Sequence, residues 1–319
     1  MAWYRQGHRD LPWRRTGDPY RIWVSEIMLQ QTRAQAVIPY YDRFLARFPN
    51  VEALAGAGEE EVLALWSGLG YYSRARNLRR AAERIRAAGG FPGDYHAIRQ
   101  LPGVGDYTAA AIASIAFGLP HAVLDGNVLR VVARVENDAA NIASPRTRER
   151  FRQVAQQWLD RRSPGIFNQA LMELGATVCL ARNPLCLLCP LSSLCRARAE
   201  GTAAQLPVKL RKVEPVTVNG TLLVIHRKGR VLLRQRAAGE RRMAGFWELP
   251  TPDHLPRARV TDAIGAIRHS ITHHRYVLAV VRASATRAGD GFRWFQTREL
   301  GGIPLSTSAR KALKLAGVL

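Results

Sequence analysis

All four cysteines of this 319-residue chain fall between Cys179 and Cys195, in the spacing C-x6-C-x2-C-x5-C. Thiols placed to staple distant elements together would be spread along the chain, and a chain kept in a reducing compartment rarely retains disulfides. Cys179, Cys186, Cys189 and Cys195 therefore read as one metal-binding loop. Four thiolates in a single loop can enclose a zinc ion or an iron–sulfur cube, and the spacing alone leaves both open.

The loop also divides two textures. Before it, apolar residues recur at helical spacing, which predicts helices over 20–35, 59–67, 73–88, 106–118, 126–136, 147–159 and 165–178. Turn signals such as Phe48-Pro49-Asn50, Gly89-Gly90 and Ser163-Pro164-Gly165 separate them. After it, 199–215 is polar and basic without a period and reads as a linker. From 216 on, β-rich runs predict a hairpin (216–226, a turn at 227–230, then 231–236), further strands at 246–249, 276–285 and 292–295, and a closing helix near 307–316. The expected organisation is a helical region over 1–198, a linker over 199–215 and a separate α+β domain over 216–319. No stretch approaches the ~18 uninterrupted apolar residues of a membrane span, and the N-terminal residues lack the apolar core of a signal peptide. A cytoplasmic protein without a membrane partner is the expectation.

The formal net charge is +22. Residues 1–198 carry 26 Arg against 17 acids, and 199–319 carry 16 Arg and 5 Lys against 8 acids. Both parts are basic, so a polyanion such as DNA can lie across both, although solubility or an Arg-rich coding bias produces the same sign. No lysine occurs before Lys209.

Three short segments carry chemistry. Leu101-Pro102-Gly103-Val104-Gly105 lies between two predicted helices; it is either an ordinary turn or one whose bare N–H groups, at Gly103, Val104 and Gly105, grip a phosphate at the start of the next helix. Glu26 shares a helical stripe with Ile22 and Leu29, so burial would raise its pKa towards neutrality, unless it simply pairs with Arg33. Asp125 precedes a predicted helix, as an N-cap does; alternatively, N–H groups hold it ionised. Hydrolysis of an N-glycosidic bond needs such a pair: one acid for the leaving group and one carboxylate for the sugar cation.

Taken together, residues 3–198 resemble the catalytic part of the MutY-type adenine glycosylases of the endonuclease III, or helix-hairpin-helix, superfamily. The matching segments are Leu11–Arg14, Ser25–Thr32, Gly68–Tyr72, Leu101–Ala109, Leu124–Val128, Phe167–Gly175 and the four cysteines. The resemblance implies a six-helix barrel module plus a [4Fe–4S] cluster module. It further implies that Glu26 protonates adenine N7, that Asp125 stabilises or traps the sugar cation, and that Tyr107 and Asn127 orient the two. Trp13, Arg14 and Glu173 match the adenine pocket. Gln31, Thr32 and Tyr71 match residues inserted beside the partner base; the weaker alternative is a core aromatic for Tyr71 and an exposed helix end for the other two. The chain opens inside what the family shows as its first helix, which leaves room for sequence before Met1.

The nearest alternative is a bifunctional glycosylase/lyase like endonuclease III itself, whose Schiff-base chemistry needs a lysine just after the hairpin. Tyr107 occupies that position. A non-catalytic binder of damaged DNA is the alternative from another class. In the C-terminal part, Gly245–Pro250 after a hairpin resembles the Nudix fold, but 251–275 holds only Asp253 and Asp262 as acids, too few for a Mg²⁺-binding helix. A binding domain is expected. The segment aligned with the family's 8-oxoguanine loop, Phe-Ser-His, is Ile271-Thr272-His273 here, so Thr272 and His273 keep polar groups and the aromatic ring is lost. The expectation is a monomeric, monofunctional glycosylase acting on double-stranded DNA with A:8-oxoguanine or A:G mispairs, associated with a bacterial nucleoid.

Overall fold

A computed structural model describes the chain except residues 211–213, 215, 238, 241–242, 272 and 286–287. The chain forms two compact units: Met1–Ala55 with Arg80–Lys212, and Gly56–Arg79 with Val213–Leu319. The division is not the linear one expected at the cysteine loop. Segment 56–79 groups with the C-terminal part because Ser67 donates to the Leu305 carbonyl (2.8 Å) and the Tyr72 ring lies 4.0 Å from that of Phe246.

The first unit is helical. Its central helix, Pro19–Leu29, starts where Asp18 accepts the Tyr20 N–H and Pro19 supplies a preset φ. Trp23, Val24 and Met28 are fully buried. A helix apolar on nearly every side has to be a core helix. It ends earlier than the expected 20–35. Gln31 has a left-handed backbone (φ 58°), and a second helix, Ala34–Arg47, starts beyond it. Apolar periodicity runs across that break because a single residue's backbone hand leaves no periodic trace.

Asp106–Phe117, Gly126–Val135 and Pro164–Thr177 form where helices are expected. They approach closely through glycines. A Cβ on Gly165 would stand 2.7 Å from the Ser114 carbonyl oxygen, and one on Gly175 would stand 2.6 Å from the Asn127 Cβ. Only glycine allows either contact.

Residues 199–208 do not act as a free linker. Ala203 and Leu206 pack with Ala197 beside Cys186 and Cys195, and the Ile142 N–H donates to the Val208 carbonyl (2.9 Å). Three apolar residues without a period were too weak a signal to reveal this packing.

In the second unit β1 (Val216–Val224) lies parallel to β6 (His274–Ser284), and β5 (Arg259–Ile271) lies antiparallel on the other side of β6. A second sheet centres on β3 (Arg230–Gln235), which pairs with β2 (His226–Arg227), β4 (Trp247–Glu248) and β7 (Phe292–Gln296). The expected hairpin is therefore confined to β2 and β3. β1 pairs elsewhere because its end is buried on both faces: Leu222 and Val224 face one core, and Leu223 faces another with Ile225 and Leu232. β5 was not anticipated, since it is largely exposed and lacks alternation. The helix Thr307–Leu315, capped by Ser306, closes the first core with Ala309, Ala312 and Leu313.

Replacing Gly165 by Ala should lower stability by about 1–3 kcal/mol, because the Ser114 backbone cannot retreat from the new methyl. The denaturation midpoint of the G165A protein measures this, with a Gly17→Ala control, where nothing lies within 4 Å of an added Cβ.

Candidate active site

A cavity of about 1740 Å³ opens in the first unit, lined by Glu26, Tyr107, Asp125 and Asn127 as well as Trp13 and Arg14. Gln31, Thr32, Gly103 and Gly105 line it too. The two carboxylates singled out in the sequence thus face one space.

Glu26 sits on the buried central helix and is 4% exposed. Among the described residues it pairs with no arginine. The Tyr107 hydroxyl donates to its Oε2 at 2.6 Å, and no other protein group hydrogen-bonds the carboxyl among the described residues. Burial pushes its pKa up to about 7; the Tyr107 hydrogen bond pulls it back, and the nearby Asp125 charge pushes it further up. Tyr107 comes from the first turn of Asp106–Phe117 and is itself held well above its ordinary range by burial and the Glu26 charge.

Asp125 caps the helix Gly126–Val135. Its Oδ1 accepts the Asn127 and Val128 N–H groups (2.9 and 2.7 Å), and its Oδ2 accepts from Asn127 Nδ2 (2.8 Å). The N-cap and the cavity-facing carboxylate are one residue. Its pKa is raised, not depressed as three donors alone would give, because burial outweighs them. Asn127 in turn accepts from Arg130 Nη2 (3.0 Å), and Arg130 Nε donates to the Cys179 carbonyl (2.7 Å). Arg130 was not anticipated; it lies one helical turn beyond Asn127, where an i, i+3 pair reading would have found it.

Glu173 is placed differently from the expectation. It does not line the cavity: it is 1% exposed and stands behind Arg9 and Arg14. Arg9 donates to it through its backbone N (3.1 Å), Nε (2.8 Å) and Nη2 (2.7 Å), and Arg14 through Nη2 (2.7 Å). Burial alone would raise its pKa, but these hydrogen bonds hold it down at about 2. Arg9 was missed, and asking which cation neutralises a buried Glu173 would have exposed it.

In the hairpin, Gly103 takes the left-handed conformation (φ 77°), and the Val104 N–H is spent on the Leu101 carbonyl, so Val104 is not one of the bare donors. Its side chain is core, 4% exposed. No side chain caps the helix that follows Gly105, so first-turn N–H groups there stay open to an anion. Tyr71, with a left-handed backbone (φ 47°) and 39% exposed, belongs to the second unit and is not core. His273 is part of the tight turn between β5 and β6, its ring 4.2 Å from that of His274; Thr272 lies outside the described residues.

The four cysteines are free thiols at intermediate depth. Burial pushes the Cys189 thiol up, and the charges of Cys179, Cys195 and Cys186 add to this, so the four sulfurs are electrostatic neighbours. No three His, Cys, Asp or Glu side chains converge on a single metal ion among the described residues. Arg134, 1% exposed, donates from Nη1 to Cys179 Sγ (3.2 Å) and to the Leu180 carbonyl (2.6 Å), placing a buried positive charge against a sulfur of the loop. The donor set therefore fits an anionic iron–sulfur group.

In the second unit, residues 251–258 form turns rather than a helix. Glu248 is occupied by Arg234 (2.7 Å) and Arg236 (3.0 Å), so it is not free for a metal.

Three family descriptions match the chain: HhH-GPD superfamily base excision DNA repair protein over 24–157, iron-sulfur binding domain of endonuclease III over 179–195, and NUDIX domain over 220–315. Cys179, Cys186, Cys189 and Cys195 are thus the iron–sulfur loop of a helix-hairpin-helix glycosylase fold that precedes a Nudix-like domain. An adenine DNA glycosylase of Mus musculus is 35% identical over 99% of this chain and 76% of its own length. One of Homo sapiens is 48% identical over 65% of this chain, a match spanning 40% of that protein. A solved thermostable thymine-DNA glycosylase, 31% identical, superposes over 62% of this chain and 93% of its own with a TM-score of 0.57. With its paired buried carboxylates and cysteine loop, the chain belongs to the adenine DNA glycosylase family of base-excision repair.

Proposed function

We propose that this protein is a monofunctional glycosylase that hydrolyses the bond between adenine and deoxyribose where adenine is mispaired with 8-oxoguanine or guanine in duplex DNA. The observation that carries the reading is the Glu26 carboxyl, buried, supported by the Tyr107 hydroxyl alone, and sharing a cavity with the differently solvated Asp125.

The adenine must leave the base stack to reach such a cavity, at a cost of a few kcal/mol. Phosphate contacts from the hairpin Gly103–Gly105 and from the open helix end behind it hold the strand. Gln31 and Thr32, which line the cavity, fill the space left in the duplex; the resemblance gives Tyr71 the same role. Trp13 and Arg14 shape the pocket. Glu173 keeps Arg14 in place instead of touching the base.

The proton is shared unequally. Three donors favour the ionised form of Asp125, and one favours that of Glu26, so the proton resides on Glu26. Glu26 gives it to adenine N7 as the C1′–N9 bond breaks and its electron pair passes to the base. The oxocarbenium-like sugar faces the Asp125 carboxylate. Water then adds to C1′ and its proton restores Glu26. The iron–sulfur group, held by the four cysteines, supplies structure; the hydrolysis itself transfers no electrons.

Tyr107 stands where a lyase would carry its amine, and no lysine occurs before Lys209, which supports hydrolysis without strand cleavage. The partner base is read by the turn at 271–274 of the second unit. The protein acts as a monomer on the chromosome in a bacterial cytoplasm; no helix among the described residues is long and apolar enough to cross a membrane.

Single-turnover excision from an A:8-oxoguanine duplex should fall at least about 10²-fold in Glu26→Gln. In the unaltered protein the rate should fall as pH rises through about 7, where Glu26 loses its proton. Strand cleavage, or borohydride trapping of a covalent DNA adduct, would instead mark a lyase.

Glu26 also destabilises the fold. Folded, it keeps its proton to about pH 7, against an ordinary value of 4.5, so the contribution of Glu26 to stability is most favourable below 4.5, worsens from there to 7 and stays at its lowest above 7. Denaturation should therefore find E26Q more stable than the unaltered protein by about 3 kcal/mol at pH 8, and equal to it at pH 4. His273→Ala should reduce the preference for A:8-oxoguanine over A:G by about tenfold, one lost polar contact, while leaving A:G excision unchanged.

A further inference from the structure

A second cavity, of about 450 Å³, lies wholly within the Nudix-like unit and has no part in the excision described above. Arg227, Lys228, Arg230, Leu232, Ala285, Ala288 and Trp294 line it, and none of them is acidic. Its shape follows from a tight turn. Lys228 and Gly229 are both left-handed (φ 50° and 70°), which folds β2 straight back into β3 and sets Arg227 opposite Arg230. The Gly229 carbonyl accepts the Thr297 N–H at 3.1 Å, fixing the turn to the end of β7. Three cations are thereby confined to four residues.

None of the three has an ion-pair partner among the described residues, whereas Arg234 and Arg236, next along the chain, are neutralised by Glu240 and Glu248. Like charges held together repel unless an anion joins them. Across the ladder Leu232 pairs with Trp294, so the indole shares a sheet face with Leu232 and, two residues back, with Arg230. Trp294 is 38% exposed, and among the described residues no ring or cation stacks on it.

We propose that this cavity is a nucleotide site in which a base stacks on Trp294 while Arg227, Lys228 and Arg230 hold the attached phosphate. An aromatic face beside unpaired cations is the chemistry that binds unpaired nucleotides without reading their sequence. The site is separate from the turn at 271–274. That turn begins β6 and Ala285 follows its end, eleven residues away, or about 35 Å at ~3.3 Å per residue. The ligand is a mononucleotide or an unpaired nucleotide of a DNA strand, which present the same groups.

Calorimetric titration of the full-length protein tests this with thymidine monophosphate, thymidine, inorganic phosphate and a short single-stranded oligothymidylate. Thymidine monophosphate or the oligomer should bind more tightly than phosphate or thymidine. Trp294→Ala and Arg230→Gln should each weaken that binding about tenfold, Trp294→Phe should retain it, and adenine excision should stay within about twofold. Loss in the variants for the mononucleotide identifies a free nucleotide as the ligand; loss for the oligomer alone identifies a DNA strand. The proposal is overturned if neither ligand's affinity changes in Trp294→Ala and Arg230→Gln, or if phosphate binds as tightly as both. Excision serves as an independent readout, so its failure would bear on the catalytic reading and not on this site.

Discussion

The structure depends on a carboxyl group kept in the core with a single hydrogen-bond donor. Removing Glu26 from water costs free energy that one Tyr107 hydroxyl only partly returns, and the group answers by holding its proton to about pH 7. Much of the first unit serves that end. The helix Pro19–Leu29 is buried on nearly all sides, which excludes water around Glu26. The helix Asp106–Phe117 approaches through small residues, which brings Tyr107 within 2.6 Å.

Asp125 receives the opposite treatment. Backbone N–H groups at a helix start and the Asn127 amide surround it, so two carboxylates facing one cavity are biased to different protonation states. Asn127 is braced by Arg130, and Arg130 by the carbonyls of Gly175 (2.5 Å) and Cys179. The cysteine loop therefore contributes to where Asp125 points, through packing and hydrogen bonds, without entering the chemistry. Glycine at 175 is part of the same arrangement, since any side chain there would collide with Asn127.

Much of this was legible in the sequence because it rests on local or categorical signals. An acid on an apolar stripe, an acid before a helix, two glycines in a hairpin and four cysteines in one loop each name their chemistry. Less legible was whatever depended on partners distant in the chain. Arg9 finds Glu173 across 164 positions, which turns an expected pocket acid into a buried counter-ion. The pairing of β1 with β6 follows from burial on both faces, which no alternation pattern reports. The break at Gln31 and the packed stretch 199–208 were hidden for the opposite reason, since each turns on one or a few residues within an otherwise uninformative pattern.

The central claim is that Glu26 is protonated near neutrality while Asp125 is the more readily ionised of the pair. The most direct measurement is a carbon-13 NMR titration of the side-chain carboxyl carbons in the unaltered protein, with Glu26 assigned by comparison with E26Q. The account predicts that the Glu26 signal moves at about pH 7, above that of Asp125, and moves higher still in Tyr107→Phe, where its stabilising donor is gone. A Glu26 signal that titrates near 4.5, or below that of Asp125, would contradict it.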